Sequence, residues 1–91
     1  MDRAETLNRA IECVTKDRAA DHGDMESNFD AIARYWTIHL GVAVDANDVG
    51  VMMSLLKIAR IKSNRAHKDN YVDGAGYLAC AAECVIGEKD G

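Results

Sequence analysis

Apolar residues recur along this chain at helical spacing in four stretches, each closed by a polar or glycine-containing break. In the first, Ala4, Leu7, Ala10, Ile11 and Val14 follow a 3.6-residue period while Arg and Glu fill the other side, which predicts an amphipathic helix from about Asp2 to Ala19. The run Asp21-His22-Gly23-Asp24 breaks it, with Gly23 as the stop and Asp24 placed to cap the next helix. Phe29, Ile32, Ala33, Trp36 and Leu40 then line one stripe of that second helix, from about Met25 to Leu40, ended by Gly41. Asp45, with Asp48 three positions on, announces a third helix that extends to about Lys62. A polar, basic connector runs from Ser63 to Lys68. A fourth helix is expected from Asp69 or Asn70 to about Ile86, and the tail from Gly87 to Gly91 should fray.

The third helix differs from the others. Val49, Val51, Met52, Met53, Leu55, Leu56, Ile58, Ala59 and Ile61 surround it almost completely, the pattern of a helix at the centre of a bundle or at a subunit interface. A chain of 91 residues can hardly cover such a helix on every side. The expectation is one all-α domain over 1–91, with its core in about 2–86, made of four helices and assembled as a homo-oligomer, a dimer or higher.

Composition narrows the classes. Hydrophobic residues reach 48% and aromatics 5%, and proline is absent, the mix of a helical bundle rather than a β-sandwich. A net charge of −4 argues against a general binder of DNA or RNA duplexes, which would show a basic face. The three cysteines, Cys13, Cys80 and Cys84, form no CxxC pair and read as small hydrophobes in a reducing cytosol. No apolar run approaches the roughly 20 residues needed to span a bilayer, and no signal peptide opens the chain. A soluble, cytoplasmic protein without a membrane partner is expected.

Candidate chemistry centres on Lys57 and Arg60, three apart on one face of the apolar third helix. Two cations there must pair with carboxylates, snorkel to solvent or await an anionic ligand. Asp69, Asn70, Asp73 and Tyr77 of the fourth helix are candidate partners. Two readings stand open: an interhelical salt-bridge network, or a pocket in which the cations meet phosphate oxygens and the carboxylates orient them. His22, at the mouth of the second helix, is a base, a ligand or a solvated turn residue. Glu26 and Asp30, four apart, have a spacing that chelates a hard cation such as Mg²⁺, as well as that of an exposed acidic helix start. Trp36 and Tyr35 are placed to stack on a base, although Trp36 lies on the core stripe. His67 and Lys68 extend a basic rim or are merely solvated. Ser27, Ser54 and Ser63 look ordinary, and no Gly-rich phosphate loop or local nucleophile motif occurs.

His22-Gly23-Asp24, Asn28-Phe29, Trp36, Lys57-Ile-Ala-Arg60 and the run Lys68-Asp69-Asn70-Tyr-Val-Asp73-Gly-Ala-Gly76-Tyr77 resemble a family of small phage and prophage proteins. Some of its members are described as MazG-like nucleotide pyrophosphohydrolases. The resemblance covers about Asp21 to Glu83. It implies a four-helix core, dimeric or tetrameric, that binds Mg²⁺ through an ExxE and an ExxD pair and cuts nucleoside triphosphates between the α- and β-phosphates. This chain departs from that pattern. Its second helix offers Glu26, Asn28 and Asp30, and its fourth offers Asn70-Tyr-Val-Asp73, an ExxD whose first ligand is neutral. Lys57 and Arg60 stand between them as a KxxR pair.

Trading carboxylates for cations favours gripping phosphates directly, which needs no metal and does no chemistry. The leading expectation is a nucleotide-phosphate binding module that takes no cofactor. In a phage, such a module would work in the host cytoplasm against host defence, sequestering a nucleotide or cyclic nucleotide. Lys57 and Arg60 would hold phosphates, Asp69, Asn70 and Asp73 would orient those cations or read base and ribose, Tyr77 or Trp36 would stack, and His22 and Asn28 complete the candidate nucleotide-binding set. A second expectation is a Mg²⁺-dependent pyrophosphohydrolase using Glu26, Asp30, Asp69 and Asp73. A third is a structural oligomer.

Overall fold

The computed structural model describes residues 1–17 and 24–86, and every regular element among them is helical. Helix α1 spans Arg3–Glu12 and passes into a wider π-helical turn over Cys13–Asp17. Helix α2 spans Met25–Leu40, α3 Ala46–Ser63 and α4 Lys68–Ile86. The expected end of the first helix at Ala19, the break at Asp21, His22 and Gly23, and the 87–91 tail lie outside the described residues. None of the described helices is long and apolar enough to cross a membrane.

Local chemistry sets the boundaries. The Asp2 carboxylate accepts the Glu5 N–H at 2.8 Å, and Asp24 accepts from the N–H and Oγ of Ser27; both satisfy donors that a helix start leaves orphaned. Gly41 closes α2 at φ +74°, its N–H donating to Thr37 O, a left-handed conformation that glycine adopts without strain. Thr37 Oγ1 then clips the loop by donating to Val44 O and accepting its N–H. Asp45 and Asp48 cap α3 reciprocally, at 2.9 and 3.0 Å.

Helices α3 and α4 run antiparallel and form the backbone of the fold. Asn47 Nδ2 donates to Ala81 O near one end, and Ser54 Oγ donates to Gly74 O at 2.9 Å near the other. Between them Gly50 lies so close to α4 that a Cβ there would fall 2.7 Å from Ala81 Cβ and 2.9 Å from Tyr77 O. Ser54, which reads as ordinary in sequence, is buried and ties the two helices together. Phe29 and Ala33 of α2 close over this pair and meet Val49 and Cys80 in the core, with Trp36, Met53 and Tyr77 packed around them. Helix α1 lies on α4 through buried Ala10 and Val72, and Val14 faces Gly76.

The coverage is less complete than the apolar pattern suggests. Leu7, Ile11 and Leu40 belong to the inward stripes by spacing yet are exposed. Helix α3 is not surrounded within the chain: Val49, Gly50 and Ser54 are buried, while Val51, Met52, Leu55, Leu56 and Ile58 face outward.

Candidate phosphate-binding site

The antiparallel register of α3 and α4 decides which predicted residues meet. Three residues beyond Ser54, Lys57 comes level with Gly74, whose missing side chain leaves room beside the Lys57 stem. The ammonium reaches Asp73, with Nζ 3.2 Å from Oδ2, and the two side chains are 13% and 33% exposed respectively. A cation so far withdrawn from water needs a fixed counter-charge. Asp73 supplies it, and the pair is held where water screens it only in part.

Arg60 lies one turn further along α3, exposed, and pairs with no described carboxylate. The expected four-member network is therefore one pair and one uncommitted guanidinium. Asp69 turns instead toward α1 and makes a long contact, 3.8 Å, with Arg9. Both partners are well exposed, so this contact contributes little. Asn70 is buried where α4 begins, its N–H donating to His67 O. Tyr77 packs on Phe29 with ring centroids 6.4 Å apart, and Trp36 packs against the core, so both aromatic rings lie in the helix packing. Tyr35, by contrast, is exposed. Asn28 is half-buried on α2, and His22 lies outside the described residues.

The four carboxylates of the metal reading are not brought together within one chain. Glu26 and Asp30 lie on α2 near Cys84, whose thiol is pushed up first by burial and then by the charges of Glu26, Cys80, Asp30 and Glu83. Cys84 is eleven residues from Asp73 on α4, about 16 Å along a helix rising 1.5 Å per residue. Among the described residues no three His, Cys, Asp or Glu side chains converge as a metal site requires. A Mg²⁺ ion bound by all four would need ligands from a second chain.

Two hollows lie apart from this pair. A cleft of about 550 Å³ is lined by Arg3, Thr6 and Leu7 of α1 and by Ala66, Lys68 and Tyr71 at the α3–α4 turn. A shallower one of about 310 Å³ shares Ala66 and Lys68 and adds His67 and Asp69. Lys68 lines both hollows and His67 only the smaller one. Arg3 and Tyr71 escape sequence reasoning, because only the packing of α1 on α4 carries Arg3 to the turn. Tyr71 is fixed there by its hydroxyl, which donates to Arg65 O at 2.9 Å.

Residues 5–85 match the family model described as Domain of unknown function (DUF6378). The chain belongs to this family. The DUF6378 match takes in the Lys57–Asp73 pair, Arg60 and all of α2 and α3, and it leaves out Arg3 of the larger cleft. The chain is 46% identical over 85 residues to the Gene 55 protein of Mycobacterium phage L5, covering 92% of this chain and 54% of that protein. To the Gene 55 protein of Mycobacterium phage D29 it is 34% identical over 74 residues, 81% of this chain and 49% of that one. The chain thus spans about half the length of these phage relatives. Neither the family description nor the relatives' names state an activity. No solved structure matches.

Proposed function

We propose that this DUF6378 domain binds the phosphates of a nucleotide through its own side chains and returns the ligand uncut. The observation that carries the reading is Lys57, a largely buried ammonium locked to Asp73, with Arg60 uncommitted one turn away. A fixed point charge beside a free planar guanidinium suits phosphate oxygens, since the guanidinium gives two parallel hydrogen bonds and the ammonium adds charge. Asp73 orients Lys57, and Asn70 and Asp69 lie on the adjoining turn of α4. A phage protein that holds a nucleotide intact serves to sequester it. A cyclic signalling nucleotide of host defence, in the host cytoplasm, is the class this reading nominates. The MazG-like hydrolase reading needs Mg²⁺ ligands that a single chain leaves apart, so binding stands ahead of cleavage.

The test is thermal denaturation of the purified protein with nucleoside mono- and triphosphates and cyclic di- and trinucleotides, with and without Mg²⁺, followed by chromatography of each ligand. A ligand at a hundredfold its Kd stabilises the native state by about 2.7 kcal/mol. The expected result is stabilisation without Mg²⁺, intact ligand, and loss of the shift in Arg60→Ala with the fold retained. Unchanged affinity in Arg60→Ala removes the assignment. Recovery of monophosphate and pyrophosphate, only with Mg²⁺, replaces it with an enzyme.

A further inference from the structure

The outward face of α3 carries a pattern that selects its own partner. Leu55, 57% exposed, stands at its centre, with Val51 and Met52 on one side and Ile58 and Ala59 on the other, all exposed. An apolar stripe of this kind marks an interaction site on a soluble domain. Its ends are charged and opposite: Asp48 lies seven residues before Leu55 and Lys62 seven residues after it, both exposed. These two are about 21 Å apart along the axis at 1.5 Å per residue. Asp45 and Arg65, also exposed, stand ten residues to either side, just beyond the helix ends.

We propose that two copies of this chain pair through α3, antiparallel, about a two-fold axis at Leu55. A two-fold contact is self-complementary, so each residue meets the one equally far from the axis on the other copy. Leu55 then packs on Leu55, Met52 near Ile58, and Val51 near Ala59. Asp48 faces Lys62 twice, and Asp45 faces Arg65 twice. A parallel pairing would set Asp48 against Asp48 and Lys62 against Lys62, like charges that repel. A crossing angle near 20°, common where helices pack side by side, keeps the charged ends within reach of each other. The contact is independent of any nucleotide: α3 presents its inner side to α4 and α2, and this face to the second copy.

Sedimentation velocity together with directed cross-linking tests the proposal. The wild-type protein should sediment at twice its 9.9 kDa chain mass, and Leu55→Glu at the chain mass with unchanged far-UV circular dichroism. Leu55→Cys should give a covalent dimer under mild oxidation, against the wild-type control that carries Cys13, Cys80 and Cys84. Lys62→Glu should dissociate the pair, and adding Asp48→Asn, which keeps the cap's acceptor oxygen while removing the like charge, should restore it in part. A wild-type monomer at all concentrations would overturn the proposal. So would a dimer that survives Leu55→Glu and leaves Leu55→Cys uncross-linked.

Discussion

The close approach of α3 and α4 makes Gly50→Ala the most informative single substitution. An added Cβ would fall 2.7 Å from Ala81 Cβ, 2.9 Å from Tyr77 O and 3.0 Å from Ala81 Cα. Two of those three atoms are backbone, so no rotamer change relieves the clash. The helices must separate by several tenths of an ångström or more to reach ordinary contact at about 3.5–4.0 Å. That shift stretches the bond from buried Ser54 to Gly74 O, 2.9 Å as it stands. Overpacking of this kind costs about 1–3 kcal/mol, and a buried hydroxyl that loses its partner costs about 1–3 kcal/mol more. Against this, replacing glycine by alanine inside a helix gains up to about 1 kcal/mol. The net expectation is a loss of about 3 kcal/mol, or roughly 12–24 °C in melting temperature for a domain of this size.

Gly74→Ala supplies the control, because its Cβ would lie 3.7 Å from Lys57 Cβ, an ordinary contact. There only the propensity term acts, and stability should rise by up to about 1 kcal/mol. Thermal and urea denaturation followed by far-UV circular dichroism measure both variants. If Gly50→Ala proves as stable as wild type, the reading of the α3–α4 seam as backbone-limited packing is refuted.

Three further outcomes are expected. Asp45→Ala removes one half of the reciprocal cap on α3 and should cost about 1 kcal/mol in the same denaturation assay, whereas Asp45→Asn should restore most of it. Asp73→Asn strands a mostly buried Lys57 and should cost more than Lys57→Met, by about 1–2 kcal/mol given that Asp73 keeps partial contact with water; equal losses would show that the pair carries no buried charge penalty. Cys84, raised by burial and then by the charge of Glu26, should alkylate more slowly than a free thiol, and Glu26→Gln should shift its reactivity profile to lower pH. Because the folded thiol holds its proton above the unfolded value, its contribution to stability is complete below that value and is lost as pH climbs through the raised one.

Much of this fold is written locally. Asp24, Gly41 and Asp45 bound α2 and the start of α3 where the sequence places them, because caps and left-handed stops act over three or four residues. The π-helical turn over Cys13–Asp17 leaves no such mark, since the periodicity of Ile11 and Val14 suits a regular helix equally well. Lys68 reads as connector yet opens α4. At the site, a contact between Lys57 and Asp73 was among the readings left open, since spacing puts Lys57 and Arg60 on one face of α3 and Asp69 and Asp73 on one face of α4. The fate of Asp69 was not. It answers to Arg9, and only the packing of α1 on α4 brings that residue near. Gly50 and Ser54, small residues four apart in an otherwise apolar helix, were the available signal for a close crossing.

That crossing is also what fixes the candidate site. Lys57 lies one turn beyond Ser54 on α3, and Asp73 is the residue beside Gly74 on α4, so the ion pair is the next rung after the Ser54–Gly74 bond. Its 3.2 Å separation depends on how closely the helix backbones approach at Gly50. A larger residue at Gly50 would therefore draw Asp73 away from a lysine that has little access to water, so stability should fall, and with it the phosphate affinity that the proposed function assigns to this pair. Substitutions at Arg60, which no described partner holds, should separate the two, costing that proposed affinity while the fold stands.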